Sequence, residues 1–132
     1  MNKYIKIILT AIAWGVAIYL IERKKYKKAL FFLIKSEKTR KKKDAEILLL
    51  KAFLLISTGD KIYAEEVLKP TEEMILNSKI LNKHEKIYLN NYRLILLFEI
   101  DSEVDMSGLD FSLDDDMVSE HLKNNHPYEK LE

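Results

Sequence analysis

The chain has 132 residues, 48% of them apolar, with three glycines, two prolines and no cysteine. That suits one small domain with a packed core, disfavours turn-rich β folds, and excludes disulfides, thiolate metal sites and a cysteine nucleophile. The net charge of +1 hides an asymmetry: residues 1–43 carry 13 basic against 2 acidic side chains, residues 44–100 carry 7 against 9, and residues 101–132 carry 2 against 10, so opposite ends face surfaces or partners of opposite sign.

The first element is YIKIILTAIAWGVAIYLI, Tyr4 to Ile21, apolar apart from Lys6, Thr10 and Gly15. Eighteen helical residues reach roughly 27 Å, slightly short of a hydrocarbon core of about 30 Å. Lys3 and Lys6 can snorkel at one end, and Arg23 and Lys24 at the other. Tyr4 and Tyr19 fall where interfacial rings are favoured. Ala11-Ile12-Ala13 has the small-x-small form of a signal-peptidase site, but it lies inside the apolar run, and RKKYKK follows the run. A cationic block there resists translocation, which predicts an uncleaved transmembrane anchor over residues 1–23 with everything after it in the cytoplasm. Arg23, Lys24, Lys25, Lys27 and Lys28 would then meet the headgroups of an anionic leaflet.

No strand period appears, so the fold class is all-α: a single N-terminal transmembrane helix followed by a small stack of antiparallel helices over residues 24–100. Tyr26, Ala29, Leu30, Leu33 and Ile34 share a helical face. With no strong breaker between residues 3 and 35, the anchor is expected to continue into this segment, leaving residues 36–43 as the first loop. Asp44 can cap a helix running to about Ser57, in which ten of 14 residues are apolar. A helix apolar nearly all round must be covered on several sides, so it is expected at the centre of the stack. Gly59 suits a left-handed C-cap and Asp60 an N-cap for the next helix, which carries Ile62, Ala64, Val67 and Leu68. Pro70 breaks it, and Thr71 starts a short piece to about Leu76. After a loose connection over residues 77–83, a long helix runs from about His84 to Ile100. Residues 101–132 form an acidic segment, with a short helix from Leu113 to about Lys123 capped by Ser112, and a frayed tail.

The centre of this layout resembles the tetratricopeptide repeat. Ala52 stands at the small contact position of the first helix, Gly59 at the turn, Ala64 at the close-packing position of the second helix, and Leu68 one turn later. YKKALFFL at 26–33 looks like the second helix of an earlier unit, since Ala29 and Leu33 precede Ala64 and Leu68 by 35 residues, close to the family period of about 34. IYLNNYRLILLFE at 87–99 looks like the first helix of a later unit, with Asn91 at the small position. The usual tryptophan is missing, Lys61 replaces the aromatic after the turn, and Pro70 interrupts the second helix. The resemblance implies a concave groove that binds a peptide or helix of a partner protein, lined by Leu49, Phe53, Tyr88, Tyr92 and Ile95.

The expected role is a non-enzymatic adaptor that holds a partner protein at the bilayer. A structural subunit of a larger membrane complex, or a small immunity or phage membrane protein, are the alternatives. No cofactor or metal is expected. His84, His121 and His126 lack ligand spacing, and Asp101, Glu103 and Asp105 do not continue into a calcium loop. No phosphate loop or nucleophile motif occurs, and the paired carboxylates sit in polar runs. The run KSEKTRKKK, residues 35–43, has no interleaved aromatics, so nucleic acid is disfavoured against lipid headgroups. The acidic-apolar stretch 101–116 is expected to dock on a partner or on the chain's own basic segment.

Overall fold

The computed structural model describes residues 3–40 and 44–110, and among these it is all-helical. Six helices follow in order: α1 (Lys3–Glu22), α2 (Tyr26–Thr39), α3 (Ala45–Ser57), α4 (Lys61–Leu68), α5 (Thr71–Leu76) and α6 (Lys83–Ile100). They fall into two compact units that divide between residues 43 and 44.

The first unit is the antiparallel hairpin α1–α2. The expected run-through from anchor to second helix does not occur, because the chain reverses at Arg23-Lys24-Lys25. Lys24 takes the left-handed conformation at φ 58°. Its N–H donates to Ile21 O at 2.9 Å, and Lys25 N–H donates to Leu20 O at 2.9 Å, the paired bonds of a Schellman cap. No glycine marks the turn, so residue type alone does not signal it. The expected loop at 36–43 also begins later, since α2 extends to Thr39. Ser36 is fully buried there and donates from Oγ to Thr10 O at 3.2 Å, and the Thr10 and Thr39 hydroxyls hydrogen-bond to each other. These contacts draw a polar segment into helix that composition alone assigns to loop.

The second unit is built on α3, which packs against α4, α5 and α6. Asp44 caps it by accepting from Ile47 N–H at 2.9 Å, and Ile47, Leu49, Ala52 and Leu54 are fully buried. Gly59 ends it at φ 94°, with Gly59 N–H donating to Ile56 O at 3.1 Å and Asp60 N–H to Leu55 O at 2.8 Å. Asp60 then caps α4 through Tyr63 N–H. Pro70 separates α4 from α5. A reciprocal capping box between Asn82 and Glu85 opens α6. Arg93, nearly buried, is held by Asn90 Oδ1 at 2.9 and 3.1 Å and faces Glu72 of α5 at 3.7 Å, while Lys86 Nζ donates to Leu76 O at the end of α5.

The turn of α1–α2 and the turn of α3–α4 match atom for atom at an offset of 35 residues: Leu20 and Leu55 accept, Lys24 and Gly59 reverse, Lys25 and Asp60 donate. Ala17 and Ala52, Ala29 and Ala64 are fully buried at the same offset, and Leu20, Leu33, Leu55 and Leu68 are buried beside them. Buried side chains this small leave room for a close approach of the paired helices. Thus α1 stands to α2 as α3 stands to α4.

The two turns differ in cost. A residue with Cβ in the left-handed region gives up about 1–2 kcal/mol. Replacing Lys24 by Gly should therefore stabilise the chain by roughly 0.5–1 kcal/mol, after deducting the freedom glycine adds to the unfolded state. Gly59→Ala should destabilise by about 1 kcal/mol. Nothing lies within 4 Å of an added Cβ at Gly59, so that cost is conformational. Denaturant unfolding of the full chain in micelles, followed by helical circular dichroism, measures both. Shifts of the same sign for the two variants would contradict the shared-turn assignment.

Candidate partner-binding and membrane surfaces

Residues expected to line a groove lie on α3 and α6, and the structure separates them. Leu49 is fully buried and offers no surface to a partner in this conformation, because it lies in the core of a helix covered on most sides. Phe53 is half-buried. Tyr88 and Tyr92, one helical turn apart on α6, stack with ring centroids 6.5 Å apart and an interplanar angle of 21°. Both are half-buried. Burial first, and the Glu46 carboxylate of α3 second, pushes the Tyr88 phenol above its ordinary pKa. Burial again dominates at Tyr92, with Tyr88 and Glu46 adding to it, and the upward displacement there is large. The pair is therefore a rigid seam between α3 and α6 with one edge in solvent.

Ile95 is the groove candidate that stands clear of the core, with 49% of its surface exposed. Phe98, three residues on and 45% exposed, shares its face. Only the packing reveals that Phe98 points outward. Asn91 lies on this face as well. Its Nδ2 donates to Asp110 O at 2.7 Å and its Oδ1 accepts from Asp110 N–H at 3.0 Å. The carboxamide thus pairs with a main-chain unit as a neighbouring strand would. Gly108 sits close to Leu94, where an added Cβ would stand 3.4 Å from Cδ1. Ser107 N–H donates to Asp105 Oδ1 at 2.9 Å, which holds that carboxyl below its usual range. Of the acidic-apolar stretch 101–116, the described residues 101–110 return to α6 through these contacts. The predicted helix at 113–123, His121, His126 and the tail lie outside the described residues.

At the other surface, Arg23, Lys24, Lys25, Lys27 and Lys28 are all exposed around the α1–α2 turn. The Arg23 guanidinium lies 5.1 Å from the Tyr19 ring centroid. The helix behind them, α1, is long and apolar enough to cross a membrane by length and composition, and it is mostly uncovered. Among the described residues no group of three or more His, Asp or Glu could hold a metal ion, and His84 is exposed on α6. No protein-family model matches the chain, and no curated protein or solved structure matches it significantly.

The seam makes a pH prediction. The folded Tyr92 phenol stays neutral to higher pH than the unfolded one, so its contribution is intact below the ordinary tyrosine pKa near 10 and is lost as pH climbs above it. The midpoint of urea unfolding should fall on the alkaline side of pH 10, and Tyr92→Phe should flatten that fall. An unchanged alkaline limb in the variant would remove Tyr92 from the seam.

Proposed function

We propose that the chain is a membrane-held helical adaptor, in which α1 keeps the protein in the bilayer and α3–α6 presents the outer face of α6 to a partner protein on the cytoplasmic side. The observation that carries this reading is the coincidence on α1 of bulky, uncovered apolar side chains with an exposed cationic block at the adjoining turn. In this scheme the block faces the anionic cytoplasmic leaflet, and α3–α6 lies on that side; the excess of positive charge beside the apolar helix supports the orientation. The protein surface in this scheme is Ile95 and Phe98, flanked by Tyr88 and Tyr92. Half-exposed apolar and aromatic groups on a well-anchored helix are the side chains from which interface anchors are drawn.

We read both hairpins as tetratricopeptide-like. The 35-residue offset supports it, relating the left-handed turn residues, the buried alanines and the following leucines. On this reading α1 is the first helix of the first repeat as well as the anchor, and α6 opens a third. Chemistry on substrates forms no part of the scheme, and neither does a cofactor.

In vivo cross-linking in intact membranes tests the adaptor role. A photoreactive residue at Phe98 should capture one recurrent protein, and Ile95→Asp in the same chain should reduce that capture at least tenfold while helical content and membrane fractionation stay unchanged. Capture of several integral proteins in fixed ratio would replace the adaptor by a subunit of a membrane complex. Recovery of the chain in the supernatant after ultracentrifugation would defeat the membrane assignment.

A further inference from the structure

The geometry of the first hairpin bears on how α1 meets lipid, and the inference rests on the membrane reading above. Ile5, Ile8, Ile12 and Tyr19 recur at spacings of three, four and seven and so form one stripe along α1. Each is about half exposed, at 50%, 47%, 49% and 53%. Tyr4, Ile7 and Leu9 add exposed apolar surface around the first two turns, and from Thr10 onward the side opposite the stripe is covered, with Ala13, Trp14, Ala17 and Leu20 buried. Thr10 is tied to Ser36 and Thr39, and the Arg40 guanidinium lies 5.0 Å from the Trp14 ring centroid. On α2, Lys27, Lys28, Lys35 and Lys38 are exposed.

These contacts fix the depth at which the charges of α2 would sit. Trp14 lies near the middle of α1, 11 residues after Lys3 and 8 before Glu22. If α1 crossed a bilayer with the hairpin closed, Arg40 would lie at the level of Trp14 and Lys35 and Lys38 close by, all within hydrocarbon. α2 cannot cross beside α1 either, since only Ala29 to Ile34 separate Lys28 from Lys35 and six helical residues reach roughly 9 Å. A closed hairpin and a crossing α1 therefore exclude each other. A hairpin lying flat meets no such conflict. Its bare stripe enters the acyl boundary to a depth of about 5–10 Å, as an interfacial helix does, and the charges of α2 stay in water or among headgroups. The exposed block Arg23, Lys24 and Lys25, at the end of the same helix, complements an anionic surface.

We propose that the closed α1–α2 hairpin lies in the plane of an anionic bilayer surface, with the Ile5–Ile8–Ile12–Tyr19 stripe in the acyl boundary, the turn cations among the headgroup phosphates, and both ends of α1 on one side of the membrane.

The sequence supplies its own probes, because it has one tryptophan and no cysteine. The full chain is reconstituted into mixed phosphatidylglycerol–phosphatidylcholine vesicles carrying nitroxide lipids labelled either just below the headgroup or near the acyl terminus. Trp14 fluorescence should be quenched at least twofold more by the shallow label. Stronger quenching by the deep label would place Trp14 at the bilayer centre and overturn the proposal in favour of a crossing helix with the hairpin open. Quenching by neither would give the stripe to a protein neighbour and overturn it as well. In parallel, Lys3→Cys and Ser57→Cys variants are exposed to a membrane-impermeant maleimide in right-side-out and inverted vesicles from expressing cells. Both sites should label in the same preparation only; labelling from opposite faces would overturn the proposal while leaving membrane attachment intact. A chain that does not pellet with membranes fails the underlying reading, a result distinct from either labelling pattern.

Discussion

Burial of small side chains between paired helices is the constraint on which the architecture depends. In both hairpins the first helix carries a fully buried alanine, Ala17 or Ala52, and the second carries another, Ala29 or Ala64. Side chains this small bring the axes close enough for the flanking leucines to interdigitate, and the three-residue reversal is short enough to hold that spacing. The reversal itself demands a left-handed residue. Gly59 supplies it at low cost, whereas Lys24 supplies it at a conformational penalty of about 1–2 kcal/mol that the packing of α2 on α1 must offset. The first hairpin is thus the more strained of the two at its turn, and it is also the one without a side-chain cap at the start of its second helix, since Lys25 stands where Asp60 caps α4.

The same contact constrains what α1 can do. A helix apolar on every side can cross a bilayer, line a protein core or divide its surface between the two. Here one side is spent on packing through alanines, Trp14, Leu20 and hydroxyl bonds to Thr10, and Ile5, Ile7, Ile8 and Ile12 are left over. Alanines on the covered side permit close packing, and isoleucines on the open side offer large apolar area for withdrawal from water. Thr10 shows the cost of the arrangement in the other direction. Its hydroxyl bonds back to Lys6 O at 2.7 Å and also to Thr39, so separating α2 from α1 would cost that bond and the Ser36–Thr10 bond, while Thr39 could keep Ser36 O at 3.0 Å within its own helix.

The sequence disclosed those parts of the fold where a residue type has few uses. Asp44 and Asp60 as caps, Gly59 as a reversal and Pro70 as a break all do what their chemistry suits them to do, and the all-α class follows from the absence of a strand period. It failed where tertiary contacts override local preference. Lys24 has no turn signature, so the reversal at 23–25 was invisible, and with it the fact that α1 has the same relation to α2 as α3 to α4. The clue was present in the 35-residue offset of Ala17 from Ala52 and Leu20 from Leu55, but a long apolar run masks such an offset, because nearly every position in it is apolar already. Ser36 and Glu37 resemble loop residues until Thr10 provides a buried partner for the serine. On the candidate surface, apolar type alone did not distinguish Leu49, which is core, from Ile95, which is not; the difference comes from which helices cover α3 and which leave one side of α6 bare.

That bare side is not an accident of a poorly held helix. α6 is fastened at three levels: by the Asn82–Glu85 capping box at its start, by Lys86 on the end of α5, and by Arg93 between Asn90 and Glu72 at its middle. Asn91 binds residues 101–110 back against it, and Ile95 and Phe98 remain about half exposed with that return segment in place. A mobile apolar residue would shed exposure by shifting inward, but a helix pinned by polar contacts on both neighbouring sides cannot rotate to bury two more side chains without breaking them. Their exposure is therefore enforced by the polar framework around them, and apolar area that the fold is built to keep in water is area that a partner can remove from it.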